Sequence, residues 1–159
     1  MSITFDLEWL PLEKRMIAGL KPGDVLRRWK TGVWHLGIYM GEGQVLHNAP
    51  GPGAGERLTS LDAFALGQEM QVARGNPQQR SDVMQRASAI LAKPRSYSYV
   101  WRNCEHTAYE IMEGRPRSPT VRRTSGVVSL LVLAVTASLA YAFRRGLART
   151  ARRLTRLND

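Results

Sequence analysis

His35-Leu36-Gly37-Ile38-Tyr39-Met40, then Gly41-Glu42-Gly43, then Gln44-Val45-Leu46-His47-Asn48: this stretch decides the fold, because it reads as two strands folded back on each other across a glycine-flanked turn. Alternation puts His35, Gly37 and Tyr39 on one face of the first strand and Leu36, Ile38 and Met40 on the other. A three-residue loop with a glycine in the left-handed conformation pairs Met40 with Gln44, hence Tyr39 with Val45 and Gly37 with His47. His35 and His47 then share a face as diagonal neighbours, roughly 7–8 Å apart at the backbone and within reach through their side chains. A two-residue loop without a bulge sends one histidine to the opposite face, since the side-chain period is two. Gly37 lies between them, and a glycine inside a strand is best explained by the close approach of another backbone or a ligand.

Outward from the hairpin, Lys21-Pro22-Gly23-Asp24 is turn chemistry and Val25 to Trp29 a preceding strand, with residues 1–20 as a lead-in. Downstream, Pro50 to Gly55 is a loop, Ser60 to Leu66 a short helix and Met70 to Ala73 a strand. Asn76-Pro77 opens a helix whose apolar face is Val83, Ala87, Ile90 and Leu91, and Lys93-Pro94 closes it. Ser96 to Trp101, with Tyr97 and Tyr99, leads into Arg102-Asn103-Cys104-Glu105-His106 and is placed along a pocket. Short strands followed by helices make the class α+β, with a small antiparallel sheet.

Cys104 is the only cysteine of 159 residues, so it staples nothing within the chain. Asn103 is an N-cap, Ala108, Ile111 and Met112 recur at helical spacing, and Gly114 is a stop, which puts Cys104 in the first turn of a helix. Unpaired backbone N–H groups and the positive end of the helix dipole there favour a thiolate, the form that attacks carbonyls. The thiol needs a base, and the base needs a third group to hold its tautomer. Either His35 or His47 serves as base, with the other orienting it. His106 stands about 200° round the helix from Cys104 at 100° per residue, so it is assigned a structural role. One cysteine and three histidines lack the spacings of a zinc site, and no metal or other cofactor is implied.

His35-Leu-Gly-Ile-Tyr-Met-Gly-Glu-Gly, then His47, then Asn103-Cys104-Glu105-His106 resemble the lecithin:retinol acyltransferase family, small phospholipase A/acyltransferases among them, over about residues 21–114. The resemblance implies a circularly permuted papain-like α+β domain, akin to NlpC-type cysteine peptidases, with Cys104 as nucleophile, His35 as general base and acid, and His47 as the orienting third member. Gly37, Tyr39 and Trp101 are candidate substrate-binding residues. The sequence departs from the family at Thr107, where an aromatic residue is usual, and in a shorter connection from His47 to Cys104.

The formal net charge of +10 suggests a nucleic-acid binder, but its distribution argues otherwise. Residues 1–114 hold 13 Lys+Arg against 12 Asp+Glu, whereas residues 115–159 hold ten arginines and one aspartate. The folded domain is nearly neutral and lacks the interleaved aromatic and basic residues of a base-stacking surface, so no nucleic-acid partner is expected. Residues 125–143 are uncharged and, as a helix, span roughly 27–29 Å, close to the thickness of a bilayer core. Arginines flank the run on both sides, at residues 115–124 and 144–159, suited to anionic headgroups. The expectation is a catalytic domain over residues 21–114, a basic linker, a single-pass C-terminal transmembrane helix over 125–143 and an arginine-rich tail. The absence of disulfide pairs and of a cleaved signal places the domain on the cytoplasmic side. The expected function is a membrane-anchored thiol acyltransferase or phospholipase A that takes an acyl chain from a phospholipid. The alternatives are a cysteine peptidase or amidase of the same fold, and a catalytically silent membrane adaptor.

Overall fold

The alternation over residues 35–48 builds the hairpin at the centre of the molecule. The computed structural model describes residues 7–30, 32–133, 135 and 136. In chain order the elements are β1 (Leu10–Pro11), α1 (Lys14–Ile17), β2 (Val25–Lys30), β3 (Val33–Gly41), β4 (Gln44–Ala49), β5 (Gly55–Ser60), α2 (Leu61–Ala65), β6 (Met70–Ala73), α3 (Arg80–Ala92) and α4 (Cys104–Glu113). The strands form one six-stranded antiparallel sheet in the order β1-β6-β2-β3-β4-β5.

Between β3 and β4 the register pairs Gly37 with His47 and Tyr39 with Val45. The route to that register differs from the expected three-residue loop. Glu42 and Gly43 both take positive φ, +50° and +71°, as a tight two-residue turn does, and Gly41 pairs with Gln44. A bulge between Tyr39 and Gly41 absorbs the extra residue, Met40, and returns both histidines to one face.

The two faces of the sheet bury different sets. Val25, Leu36, Ile38 and Leu46 pack against Val83, Ala87 and Ile90 of α3 and Ala108, Ile111 and Met112 of α4. Leu26, Tyr39, Val45 and Val72 pack against Leu61 and Phe64 of α2. The histidines belong to the second face. Strand β5 was not legible in the sequence. Its inward residue Glu56 is polar, so the stretch shows no apolar alternation.

The chain divides into two compact units, Met1–Pro119 and Thr120–Asp159. Residues 119–133, 135 and 136 are helical, with Val127, Val128, Leu130, Leu131, Val132, Leu133 and Val135 exposed. Among the described residues no helix is long and apolar enough to cross a membrane. This overturns the expected C-terminal transmembrane helix over 125–143, and with it the single-pass membrane anchor and the assignment of the domain to one side of it. In the described part of the uncharged run, Ser125, Gly126, Ser129 and Thr136 dilute the apolar residues. Residues 137–143 of the expected span, and the tail at 144–159, lie outside the described residues.

Candidate active site

Strands β3 and β4 present His35 and His47 side by side, both buried, with Nε2 of His35 2.8 Å from Nδ1 of His47. The rings meet edge to face with centroids 5.1 Å apart, and the Phe64 ring of α2 stacks on His35 at 5.5 Å. Nε2 of His47 lies 3.2 Å from Oγ1 of Thr59, on the neighbouring strand β5. The bonds form a chain: if His35 donates through Nε2, His47 accepts at Nδ1 and donates through Nε2 to the threonine hydroxyl. Nδ1 of His35 is left with no hydrogen bond among the described residues.

The cysteine helix is fixed from both ends. Asn103 caps it, its Oδ1 accepting from the amides of Glu105 and His106 at 3.0 and 3.1 Å, and His106 Nδ1 reaches back to within 3.4 Å of the Asn103 amide. His106 is therefore a capping residue. Gly114 ends the helix at φ +76°, and Arg86 donates to the carbonyls of Ile111 and Met112 there. On the flank, Thr107 donates to Glu56 at 2.9 Å and accepts from Asn48 at 3.1 Å. Arg95 grips Glu56 of β5 and Glu110 of α4 with bonds of 2.7 to 3.0 Å. These contacts tie the helix to β4 and β5, so the position of its first turn is set by polar bonds as well as by the apolar face.

Cys104 stands in that first turn, and its thiol donates to the carbonyl of Trp34 at 3.8 Å. The Leu36 amide also faces the sulfur. These two backbone groups flank His35 on β3, at the end where β3 has no β4 partner because the pairing begins only at Gly37. Among the described residues the thiol makes no hydrogen bond to either imidazole.

Burial pushes the Cys104 thiol up from its ordinary value, against the nearby amides of Leu36, Glu105 and Cys104 itself. The sequence led to the opposite expectation from the helix start alone. Burial also pushes His35 down to about 3, helped by His47, Arg28, Lys30 and Arg57. His47 falls to about 4 for the same first reason, with Arg57, Arg28 and Lys30 adding to it. All three shifts favour the neutral forms, a thiol and two imidazoles, over an ion pair.

Other residues singled out from the sequence lie elsewhere. A Cβ on Gly37 would stand 2.6 Å from Val45 Cγ1 and 2.9 Å from the Phe64 ring, so protein side chains fill that space. Tyr39 is buried, and its hydroxyl accepts from the Gly43 amide at 3.0 Å. Trp101 is 83% exposed. Sequence reasoning missed Thr59, Phe64 and Arg28, which surround the histidine pair. For Arg28 and Thr59 strand alternation carried the signal, but Thr59 sits on the strand that was not recognised. Among the described residues no group of three or more His, Cys, Asp or Glu side chains could hold a metal ion.

A family model described as Lecithin retinol acyltransferase matches residues 18–117. The chain is 28% identical to human "Phospholipase A and acyltransferase 4" over 149 residues, covering 79% of this chain and 91% of that protein. It is 29% identical to mouse "Phospholipase A and acyltransferase 3" over 123 residues, 64% of this chain and 76% of that one. With bovine "Lecithin retinol acyltransferase" the identity is 28% over 152 residues, 73% of this chain and 64% of that one. The match over residues 18–117 takes in both strand histidines and the cysteine helix, and the chain belongs to the lecithin retinol acyltransferase family.

Proposed function

We propose that this protein is a thiol-dependent acyltransferase of the phospholipase A type, which takes an acyl chain from a phospholipid onto Cys104 and passes it to water, an alcohol or an amine. Family membership and the names of the relatives support acyltransferase or phospholipase A activity in general. The observation that carries the finer reading is the histidine pair: its 2.8 Å bond occupies Nε2 of His35 and leaves Nδ1 free, on the residue between Trp34, whose carbonyl accepts from the Cys104 thiol at 3.8 Å, and Leu36, whose amide lowers the thiol's pKa.

In this mechanism the thiol leaves the Trp34 carbonyl, gives its proton to Nδ1 of His35 and attacks the ester carbonyl. His47 accepts from Nε2 of His35 and keeps that ring in the right tautomer, with Thr59 doing the same for His47. The Cys104 amide, first in its helix, faces the developing oxyanion. His35 returns the proton to the departing glycerol oxygen, the C–O bond breaks and a thioester remains. The acceptor loses its proton to His35, adds to the thioester and expels the thiolate, which recovers that proton. The arginines of residues 115–159 support attraction to anionic lipid, which needs no spanning segment.

Intact-protein mass after mixing with a diacyl phospholipid tests this. The expected result is one added acyl group on Cys104, labile to hydroxylamine and absent from Cys104→Ser. His35→Ala should lose about 10²- to 10⁴-fold in turnover, and His47→Gln should keep part of the activity, because an amide oxygen can still accept from His35. Full turnover by Cys104→Ser would overturn the assignment, as would cleavage of peptide amides without any ester.

A further inference from the structure

The sheet face that carries the histidine pair also carries cations. Alternation places Arg28 and Lys30 of β2, His35 of β3, His47 of β4 and Arg57 of β5 on it, with Arg28 directly opposite His35 and Arg57 directly opposite His47. Such cross-strand partners stand about 4.5–5.5 Å apart at Cβ. The charged side chains that bear on the two imidazoles are Arg28, Lys30 and Arg57, all cations.

Arg28 is the unusual member. It is 5% exposed, Nε donates to the Phe64 carbonyl, and Nη1 reaches the Trp29 carbonyl at 3.4 Å. Among the described residues no carboxylate meets it and Nη2 makes no hydrogen bond. Several other arginines have compensation: Arg74 and Arg80 pair with Asp24, Arg95 with Glu56 and Glu110, and Arg27 lies between the rings of Trp9 and Trp34, whereas Arg57 and Arg86 also meet carbonyls but are less buried than Arg28. A buried guanidinium whose partners are two neutral carbonyls and the Phe64 ring, with the ring centroid 5.8 Å away, is costly, and an anion arriving at the site would relieve that cost. Arg57 is held by the carbonyls of Pro52 and Gly53 through Nη1 at 3.3 and 3.0 Å, which leaves its other nitrogens for a ligand.

We propose that Arg28, flanked by Lys30 and Arg57, forms a phosphate-binding site beside the histidine pair, which takes the phosphodiester of a phospholipid headgroup while the neighbouring ester is presented to Cys104. This rests on the lipid-enzyme reading above for its substrate, and on the sheet register for its position. Guanidinium groups match phosphate oxygens with paired, charge-assisted hydrogen bonds. In a glycerophospholipid the phosphate hangs from the carbon next to an ester-bearing one, so a cation directly across the strand pair from the base suits it.

Two measurements on the full chain test the site. Inorganic phosphate, titrated while the imidazole nitrogens of His35 and His47 are followed by NMR, should give saturable shifts, with affinity about tenfold weaker in Arg28→Gln. Arg57→Gln, at a half-exposed position where folding is less at risk, should weaken it in the same direction. In the second, kcat/KM is compared for a diacyl phospholipid and a diacylglycerol of the same acyl chains in neutral micelles. The ratio should fall about tenfold in Arg28→Gln and fall also in Arg57→Gln. No saturable shift with phosphate, or equal affinity in both variants and the parent, would overturn the site. Loss shared equally by both lipids would overturn the headgroup assignment in favour of a role for Arg28 at the thiolate. Phosphate binding with an unchanged lipid ratio would do so in favour of free phosphate as the ligand. Should the parent protein acylate Cys104 from neither lipid, the enzyme reading fails while the phosphate titration still decides the anion site.

Discussion

At Cys104 two local forces oppose each other. A helix start favours the thiolate, whereas withdrawal from water favours the thiol, and the direction at this residue shows that burial wins. Alkylation by iodoacetamide should therefore inflect above the ordinary thiol value of 9.0. Rapid alkylation that is level through neutral pH would instead reveal a thiolate–imidazolium pair. The histidines carry a stability consequence. Both have folded-state values below the ordinary 6.5, so below that pH the unfolded chain binds more protons. Their contribution is complete above 6.5 and is lost as pH falls toward about 4 for His47 and about 3 for His35. Urea midpoints should fall across that window, and the double variant His35→Gln, His47→Gln should flatten the fall; parallel curves would show that other groups govern acid lability. The sequence made the helix start and its capping residue readable because both are local. It could not reveal the sign of the thiol shift, which depends on how deeply α4 packs against β3.

At the scale of elements, the hairpin was readable because period-two alternation and a glycine-rich turn leave few registers. The bulge at Met40 was not, since a bulge and a longer loop return the same pairing from the same residues. Gly37 shows a similar limit: its sequence signals close approach, and only the packed structure tells that Val45 and Phe64 make it. The polar flank of α4 was equally hidden, because Glu56, Arg95, Thr107 and Glu110 are separated in sequence and each alone reads as surface. The Glu56 side chain is wholly buried and Arg95 is its ion-pair partner. Removing one member of a buried pair leaves an uncompensated charge, so Arg95→Met should destabilise the fold by about 3 kcal/mol in urea denaturation. Adding Glu56→Gln should recover part of that loss, giving a coupling of about 1–3 kcal/mol in a double-mutant cycle. Additive losses would mean that Arg95 acts through Glu110 alone.

At the scale of the whole molecule, charge and apolar content sort along the chain in a way that composition alone obscures. The net charge of +10 sits almost wholly after residue 114, and the first unit balances its own charges in buried clusters such as that around Asp24. The run after Thr124 is uncharged in sequence, yet among the described residues no helix is long and apolar enough to cross a membrane, because a count of uncharged residues does not register the small and polar ones among them. The boundary between the units can be tested by truncation. Ser118 donates to Glu105 and accepts from Asn103, and Arg117 pairs with Glu113 at 2.6 Å, so residues just beyond α4 brace the turn that carries Cys104. A chain ending at Pro119 keeps all of these bonds and should unfold at nearly the same temperature as the full chain, with Cys104 still acylated by a dispersed short-chain ester. A chain ending at Gly114 loses them. It keeps the sheet and the apolar face of α4, yet it should show a lower midpoint and slower acylation, because the side-chain amide of the Asn103 cap has lost Ser118 and keeps only the Tyr99 carbonyl, while Glu105 has lost the Ser118 hydroxyl. If the two truncated chains behave alike, the brace contributes nothing and the unit ends at α4 itself.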